Sequence, residues 1–381
     1  MIDRGPDDSG VYLDHNFGMG IRRLSIIDIE TGHQPIANED RSIFVIMNGE
    51  IYNYLELRRK LERKGHVFRT RADTEVLVHM YEEYGTDCLA HLVGMFAFAI
   101  WDKQQRMLWI ARDRFGVKPL VFYHDDNLFG FASTQTALTQ LPGFQKSVDI
   151  DSLILYLNLS YVPAPKAIWK GIRKLMPGES LIVGEYSHRV DIRQYWEISS
   201  IPPSEESVGD AYEDKIRNLF HRSIELNSRS DVPVGIFLSG GLDSTVVTSS
   251  YSQQTDQNIH TFTVDCVGKS VEEGVFAKLV ADAYQTTHHQ YRLTSKQSIR
   301  ELSELLGRID EPMADSASIS SYYLSKRASE NGIKVILCGA GGDELFGGYA
   351  RHYRGRRDIL AGKLSMIPTR SVSYTHLRAH E

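Results

Sequence analysis

Val232-Pro233-Val234-Gly235-Ile236-Phe237-Leu238-Ser239-Gly240-Gly241-Leu242-Asp243-Ser244 is the stretch on which the reading of this chain turns. Its Val- and Ile-rich first half has the unbroken apolar character of a buried strand. It enters Ser239-Gly240-Gly241 without a linker, and a Thr/Val/Ser run that reads as helix follows. Glycines at such a joint let backbone N–H groups turn toward one point, and the helix adds its own unpaired N–H groups and positive dipole end. A place built this way binds an anion, above all a phosphate. The spacing is neither Gly-x-x-x-x-Gly-Lys nor Gly-x-Gly-x-x-Gly, and the plain alternative is a tight strand-to-helix turn.

Outward from this stretch, strands and helices alternate. Strands are expected over 232–238, 259–264, 288–293 and 334–338, with helices over 242–253, 272–284 and 316–330. Tyr212, Ile216, Leu219, Phe220 and Ile224 recur at helical spacing ahead of them, an amphipathic helix that packs on a sheet. The alternation predicts a doubly wound α/β domain with a parallel sheet, whose ligands sit beyond the carboxyl ends of the strands at a topological switch point. Three such ends stand out: Ser239 to Ser244; Val264 and Asp265, where a backbone edge could read adenine; and the glycine-dense loop Gly339-Ala340-Gly341-Gly342-Asp343-Glu344. ATP travels with magnesium, and a hard cation needs one or two carboxylates beside phosphate oxygens. Asp243 and Asp343 are the natural pair, each with the alternative of a helix cap or a turn aspartate.

The half before residue 198 is written differently. Short strands over 42–47, 96–101, 107–112, 120–124 and 128–132 read as successive antiparallel strands, interrupted by helices over 54–64 (cap Asn53) and 74–84 (cap Asp73, stop Gly85). This is an α+β domain rich in antiparallel sheet. A polar stretch over 199–209 with two consecutive prolines is the linker, giving domains over 1–198 and 210–370.

Composition sets the outer limits. At 381 residues the chain exceeds what one core usually serves. No apolar run approaches bilayer length and the start lacks the features of a signal peptide, so no membrane is expected and the compartment is cytoplasmic. The three cysteines, Cys88, Cys266 and Cys338, lie far apart, which argues against a disulfide framework and a zinc site. A net charge of -6 gives no reason to bind nucleic acid, and the basic cluster Arg351, Arg354, Arg356 and Arg357 reads as a solvated face.

Ser-Gly-Gly-Leu-Asp-Ser is similar to the loop of the ATP pyrophosphatases, which cut ATP between its α and β phosphates. In order along the chain, Arg4-Gly5-Pro6-Asp7-Asp8-Ser9-Gly10, Arg23-Leu24-Ser25-Ile26-Ile27-Asp28, Met47-Asn48-Gly49-Glu50-Ile51-Tyr52-Asn53, Gly94-Met95-Phe96-Ala97-Phe98-Ala99, Asp113-Arg114-Phe115-Gly116-Val117-Lys118-Pro119-Leu120, Asp310-Glu311-Pro312 and Gly341-Gly342-Asp343-Glu344-Leu345-Phe346-Gly347-Gly348-Tyr349 accompany it. Together they resemble the glutamine-hydrolysing asparagine synthetases, a glutaminase domain of the type 2 amidotransferase kind followed by an ATP-using synthetase domain. The resemblance implies glutamine, aspartate and ATP as substrates, magnesium as the metal, and an acyl-adenylate between the half-reactions; it is compatible with a homodimer. It gives Asn48 (side chain) and Gly49 (backbone N–H) the role of oxyanion donors, Arg23 the glutamine carboxylate and Asp73 its amino group, with Glu50 beside them. Asn-Gly on its own reads as a hairpin turn. In the second half it implies that Leu238, Ser239, Gly240, Gly241, Asp243, Ser244, Val264, Cys338 and Gly339 meet the nucleotide, and that Asp243 and Asp343 hold the metal.

Three departures accompany it. The nucleophile of such glutaminases is an N-terminal cysteine, and this chain opens on Met1. Synthetase domains of this kind continue past the Gly-Gly-Tyr motif with further helices and a catalytic lysine, whereas this chain soon reaches 371–381, which reads as an artefactual tail. The chain therefore reads as a fragment at both ends, inactive as a glutaminase as written. Ala340 stands where many such enzymes carry an acid. That opens the acceptor: either a neighbour such as Glu344 takes over and the product is still asparagine, the favoured reading, or the pocket is shaped for another carboxylate (glycan, peptide or β-lactam pathway) in an alternative amidotransferase. A non-catalytic sensor is the alternative of another class, disfavoured by the intact Asp243, Asp343 and Ser239 loop.

Overall fold

The computed structural model describes residues 2–185, 189–201, 209–266 and 273–349. The arginine cluster near residue 354, most of the linker and the tail over 371–381 lie outside the described residues.

The first half opens with an antiparallel hairpin, β1 (Asp8–Asp14) and β2 (Phe17–Arg23). A six-stranded antiparallel sheet contains β3 (Ile36–Ala37), β4 (Ile43–Ile51), β5 (Gly94–Asp102) and β6 (Met107–Arg112). The small separate sheet holds β7 (Val121–His124), β8 (Phe129–Ala132) and β9 (Ile172–Lys174), and β10 (Glu179–Gly184) and β11 (Val190–Gln194) return to the large one, whose order is β11-β10-β6-β5-β4-β3. Helices α1 (Tyr54–Lys64), α2 (Glu75–Tyr84), α3 (Gln135–Leu138) and α4 (Ile150–Leu159) complete this domain.

Strand alternation explains the layering. Val45 and Met47 of β4 face α1 and α2, where Leu57, Leu61, Val76 and Leu77 bury; Phe44 and Ile46 face the other way, onto Met19, Leu120, Phe122 and Leu175. Continuous pairing of β6 with the strand starting near residue 120 is not found. Asp113 breaks the run: its carboxylate accepts the backbone N–H groups of Phe115, Val117 and Lys118 at 2.9–3.1 Å, and the chain turns away into the second sheet.

The second half contains α5 (Asp210–Asn227), then β12 (Val234–Phe237), α6 (Leu242–Ser252), β13 (His260–Cys266), α7 (Glu273–Ala283), β14 (Thr287–Leu293), α8 (Ser295–Leu306), α9 (Ala317–Glu330), β15 (Val335–Leu337) and the short α10 (Gly342–Phe346). The four strands are parallel in the order β14-β13-β12-β15. This is the α/β arrangement the alternation requires, behind an α+β domain. β13 and β14 extend to one side of β12 and β15 lies on the other, so the switch point falls where β12 and β15 end. Helix α8 was not expected from the sequence, nor in the first half were α4 and the strands β1, β2, β10 and β11; Thr294 and Gln297 cap α8 reciprocally. Among the described residues no helix is long and apolar enough to cross a membrane.

Polar contacts join the halves. Asp231, just ahead of β12, donates its N–H to Ile26 O at 3.0 Å and accepts the Asp28 N–H at 2.7 Å. Glu311 of the Asp-Glu-Pro motif accepts from the Gln135 side chain at 2.7 Å and from Ile168 N–H at 3.1 Å, and pairs with Lys174. Asp310 accepts Thr136 N–H at 2.8 Å.

Candidate active site

β4 does not end in a hairpin at Asn48-Gly49. It runs on to Ile51, pairing Asn48 with Ala97 and Gly49 with Phe96. Gly49 sits at φ 156°, and a Cβ there would stand 2.2 Å from Met95 O, so no other residue fits this close approach. The far end of β4 thus becomes the floor of a cavity of about 210 Å³ whose lining includes Arg4, Arg23, Gln34, Asn48, Gly49, Glu50, Asp73, Thr74 and Lys118.

Charges of both signs are buried together here. Arg23, at the end of β2 and 8% exposed, donates through Nη2 to Ile27 O (2.6 Å) and Asp28 O (2.9 Å). Its Nη1 is buried and has no hydrogen-bond partner among the described residues. Asp73 is not a helix cap, since α2 starts from Thr74; its carboxylate instead accepts Ile51 N–H at 2.8 Å. Burial pushes the Asp73 carboxyl up to about 6, against the pull of the Ile51 and Thr74 N–H groups and the Arg23 charge. Burial first, and the Asp73 charge second, push Glu50 up to about 7, with Lys118 opposing. Burial also lowers Lys118, against the charge of Glu50. An unpaired guanidinium nitrogen and two carboxylates held near neutrality are complementary to a zwitterion, which brings one carboxylate and one ammonium.

Among the described residues Asn48 Nδ2 donates only a long bond, 3.4 Å, to Ser133 Oγ. None of the three cysteines lines the cavity: Cys88 is buried in the core of the first domain, and Cys266 and Cys338 belong to the second. Three further participants escaped the sequence reading. Gln34 accepts Met47 N–H at 2.7 Å and donates to Met47 O and Thr74 Oγ1, both at 3.3 Å, tying β4 to the start of α2. Lys118 is delivered by the turn that Asp113 organises, and Arg4 by the Arg-Gly-Pro segment. The motifs containing Arg4 and Lys118 were visible; that they open onto this cavity was not.

The second constellation stands at the switch point. Gly241 caps α6, Gly240 sits at φ 76° with a Cβ position 2.5 Å from Ala277 N, and Ser244 Oγ lies 3.1 Å from Ser239 Oγ. The loop after β15 closes on this one: a Cβ on Gly339 would stand 2.7 Å from Asp243 Cβ, and one on Gly342 2.7 Å from Asp243 Oδ2. Asp343 follows in α10. Among the described residues the Asp243 carboxylate has no hydrogen bond, which suits a metal ligand. Leu238 is buried, its carbonyl accepting the Thr263 hydroxyl. Val264 is inside β13 rather than past its end, paired with Tyr291; β12 pairs only as far as Phe262, so the other edge of Val264 lies beyond that ladder. Cys338 is exposed and leads into Gly339. Glu344 is engaged within its own loop, accepting Gly341 N–H at 3.1 Å and Tyr349 OH at 2.9 Å.

Residues 1–196 match the glutamine amidotransferase domain family and residues 215–379 the asparagine synthase family. Asparagine synthetase [glutamine-hydrolyzing] 1 of Bacillus subtilis (strain 168) is 37% identical over 351 residues, 92% of this chain and 54% of its own. A Methanocaldococcus jannaschii chain named for the same activity is 36% identical over 387 residues, 95% of this chain and 73% of its own. This chain thus spans about half the length of the first of these relatives and about three quarters of the second. Among solved structures, a glutamine phosphoribosylpyrophosphate amidotransferase from B. subtilis overlaps 85% of this chain and 76% of its own at 15% identity with a TM-score of 0.35, too little to bear on the fold.

Proposed function

The chain belongs to the family of glutamine-hydrolysing asparagine synthetases, and from that premise we propose that it carries the two half-sites of an ATP-driven amidation. In the first, glutamine and water give glutamate and ammonia. In the second, the side-chain carboxylate of aspartate attacks the α-phosphorus of ATP and expels pyrophosphate, and ammonia then displaces AMP from the acyl-adenylate.

The observation that carries this reading is the charge arrangement of the cavity: the partnerless Nη1 of Arg23 with Asp73 and Glu50. Arg23 takes the α-carboxylate of glutamine, and Asp73 with Glu50 takes its α-ammonium. Asn48 Nδ2 exchanges its long bond to Ser133 for the amide oxygen, and Gly49 N–H joins it as that oxygen becomes negative. In the second site Ser239, Gly240, Gly241 and the Ser244 hydroxyl hold the pyrophosphate, the N–H groups of Ser239 and Gly241 exchanging their present bonds to Ser244 Oγ and Ser239 Oγ for phosphate oxygens, while Leu238, Val264, Cys338 and Gly339 border the nucleotide. Asp243 and Asp343 would hold magnesium, which would neutralise charge on the phosphate oxygens.

The test is calorimetric titration of glutamine into this chain. One site per chain is expected, lost in Arg23→Ala and Asp73→Asn with the fold retained by circular dichroism; undiminished binding in both variants sinks the assignment.

A second reading concerns the acceptor, and Glu344 favours it. Each of its carboxylate oxygens already accepts one bond inside its own loop, from Gly341 N–H and Tyr349 OH, which favours a pocket with no acid in place of Ala340. A carboxylate other than aspartate is then the acceptor, and pyrophosphate exchange into ATP with a panel of acids separates the two.

A further inference from the structure

Away from both sites, Glu39, His66, His79 and Glu82 each turn one ligand atom toward a common point, and the four atoms lie within 4.8 Å of one another. Glu39 precedes β4, His66 follows α1, and His79 and Glu82 share one face of α2. His79 Nδ1 is 2.8 Å from Glu82 Oε2 and 3.6 Å from Glu39 Oε2. His66 Nδ1 is 3.4 Å from Glu82 Oε2 and 3.9 Å from Glu39 Oε1. Four ligands at tetrahedral corners ~2.0–2.2 Å from one ion stand ~3.3–3.6 Å apart, so the four nitrogen–oxygen separations bracket that size and the widest pair, within 4.8 Å, must close by about 1 Å.

The surroundings hold these atoms in ligand orientation. A carboxylate only accepts, so the 3.0 Å contact of His66 Nε2 with Glu83 Oε1 makes Nε2 the donor and leaves the Nδ1 lone pair facing the cluster. Lys64 in turn pairs with Glu83. Glu82 Oε1 accepts from Asn38 Nδ2 at 2.8 Å, and Glu39 Oε1 accepts Val67 N–H at 2.9 Å. Carboxylate partners behind imidazoles and donors behind carboxylates are the outer shell that metal ligands carry. His79 is 1% exposed; among the described residues its one hydrogen bond runs from Nδ1 to Glu82 Oε2 at 2.8 Å, so Nδ1 carries the proton here and an ion bound at the cluster would take that proton's place. Two neutral imidazoles and two carboxylates leave two negative charges, which one divalent cation neutralises. Imidazole ligands select zinc-type ions over magnesium.

We propose that Glu39, His66, His79 and Glu82 form a closed, four-ligand site for a divalent transition metal of the zinc type, which fastens the segment after α1 and the turn before β4 to α2. No cysteine takes part, which is why cysteine spacing gave no sign of it. The site braces the helix whose first turn adjoins Asp73.

The test uses untagged protein in a Cys266→Ser/Cys338→Ser background, stripped of metal and titrated with Zn²⁺ against a chromophoric chelator. One zinc per chain is expected, with a rise in melting temperature. His66→Gln and Glu82→Gln, both at partly exposed side chains, should each abolish the stoichiometric site, and Glu83→Gln should weaken it roughly 10–100-fold. Co²⁺ should give the intense visible bands of a tetrahedral ion without thiolate charge transfer. Zinc stoichiometry unchanged in a folded His66→Gln/Glu82→Gln double variant overturns the proposal, as does the absence of stoichiometric binding or an octahedral cobalt spectrum.

Discussion

The two sites solve the problem of holding charge in opposite ways. The cavity under β4 is built from side chains: Arg23, Glu50, Asp73 and Lys118 come from four separate stretches and meet in a buried space. The loop after β12 is built from backbone: glycines, N–H groups and two serine hydroxyls within six consecutive residues, beside a carboxylate in the first turn of α6. Buried side-chain charges cost desolvation, visible in Glu50 near 7 and Asp73 near 6; backbone dipoles are already part of the fold and titrate nothing. The first site should therefore be sensitive to charge and pH, the second to shape.

The largest effect that sharpens this contrast is expected at Arg23. Removing one partner of a buried charge group costs about 3–5 kcal/mol, so Arg23→Ala should weaken glutamine binding roughly 10²–10³-fold or more while leaving ATP binding in place. Calorimetry with both ligands checks it; equal losses for the two would erase the distinction.

Next comes Glu50. Its carboxyl is raised in the folded chain from 4.5 to about 7, so the folded state holds the proton more tightly than the unfolded one. That contribution to stability is complete below about 4.5 and is lost as pH rises through about 7. Glu50→Gln should accordingly stabilise the ligand-free chain at pH 8, by up to about 3 kcal/mol, and make little difference near pH 4.5. Glutamine binding to the native chain should weaken as pH falls through 7 to 6, when Glu50 and Asp73 take up protons and cease to attract an ammonium. Melting curves and titrations across pH read both, and a flat profile contradicts the buried-charge account.

Shape dominates at Gly240. A methyl there must be accommodated at φ 76° and against Ala277 N, so Gly240→Ala should cost roughly 1–3 kcal/mol, appearing as weakened ATP–magnesium binding with glutamine binding unchanged. A variant that keeps nucleotide affinity would show that the loop tolerates side chains and is not a backbone cradle.

The same contrast decides what could be read from the sequence. The Ser239 loop is local, so strand, glycines and helix were legible in one line, and the alternation after it carried the parallel sheet and its switch point. The cavity is not local. Asp73 reads as a cap and Asn48-Gly49 as a turn, because short-range patterns describe short-range roles; only family resemblance singled them out. Gln34 and Lys118 act through tertiary placement, and nothing in their neighbours announces it. Helix α8 does carry apolar residues at helical spacing, Ile299, Leu302 and Leu306, so it was legible in the sequence; in the fold those three stay exposed and Glu301 is the residue it buries. The histidines of the Glu39 cluster lie thirteen positions apart, at no spacing a ligand motif would use.

The smallest effect tests whether the two regions are joined or merely adjacent. Lys334, next to β15, reaches Asp7 at 2.8 Å, and Asp7 also accepts Ser25 N–H at 2.9 Å beside Arg23. The pair is partly exposed, so its share of stability is about 0.2–1 kcal/mol. The Lys334 contact holds the Asp7 carboxyl below its usual range, against the opposing effect of burial. A depressed carboxyl contributes above its unfolded value near 3.8 and loses that contribution as pH falls below it. Lys334→Ala should therefore lower the melting temperature slightly at pH 7, and the difference from the native chain should shrink as pH falls below 3.8. Glutamine affinity distinguishes the two cases: if Asp7 positions the Arg23 turn through Ser25, affinity falls a few-fold with the lost pair, whereas an unchanged affinity shows that the cavity is set by the first domain alone.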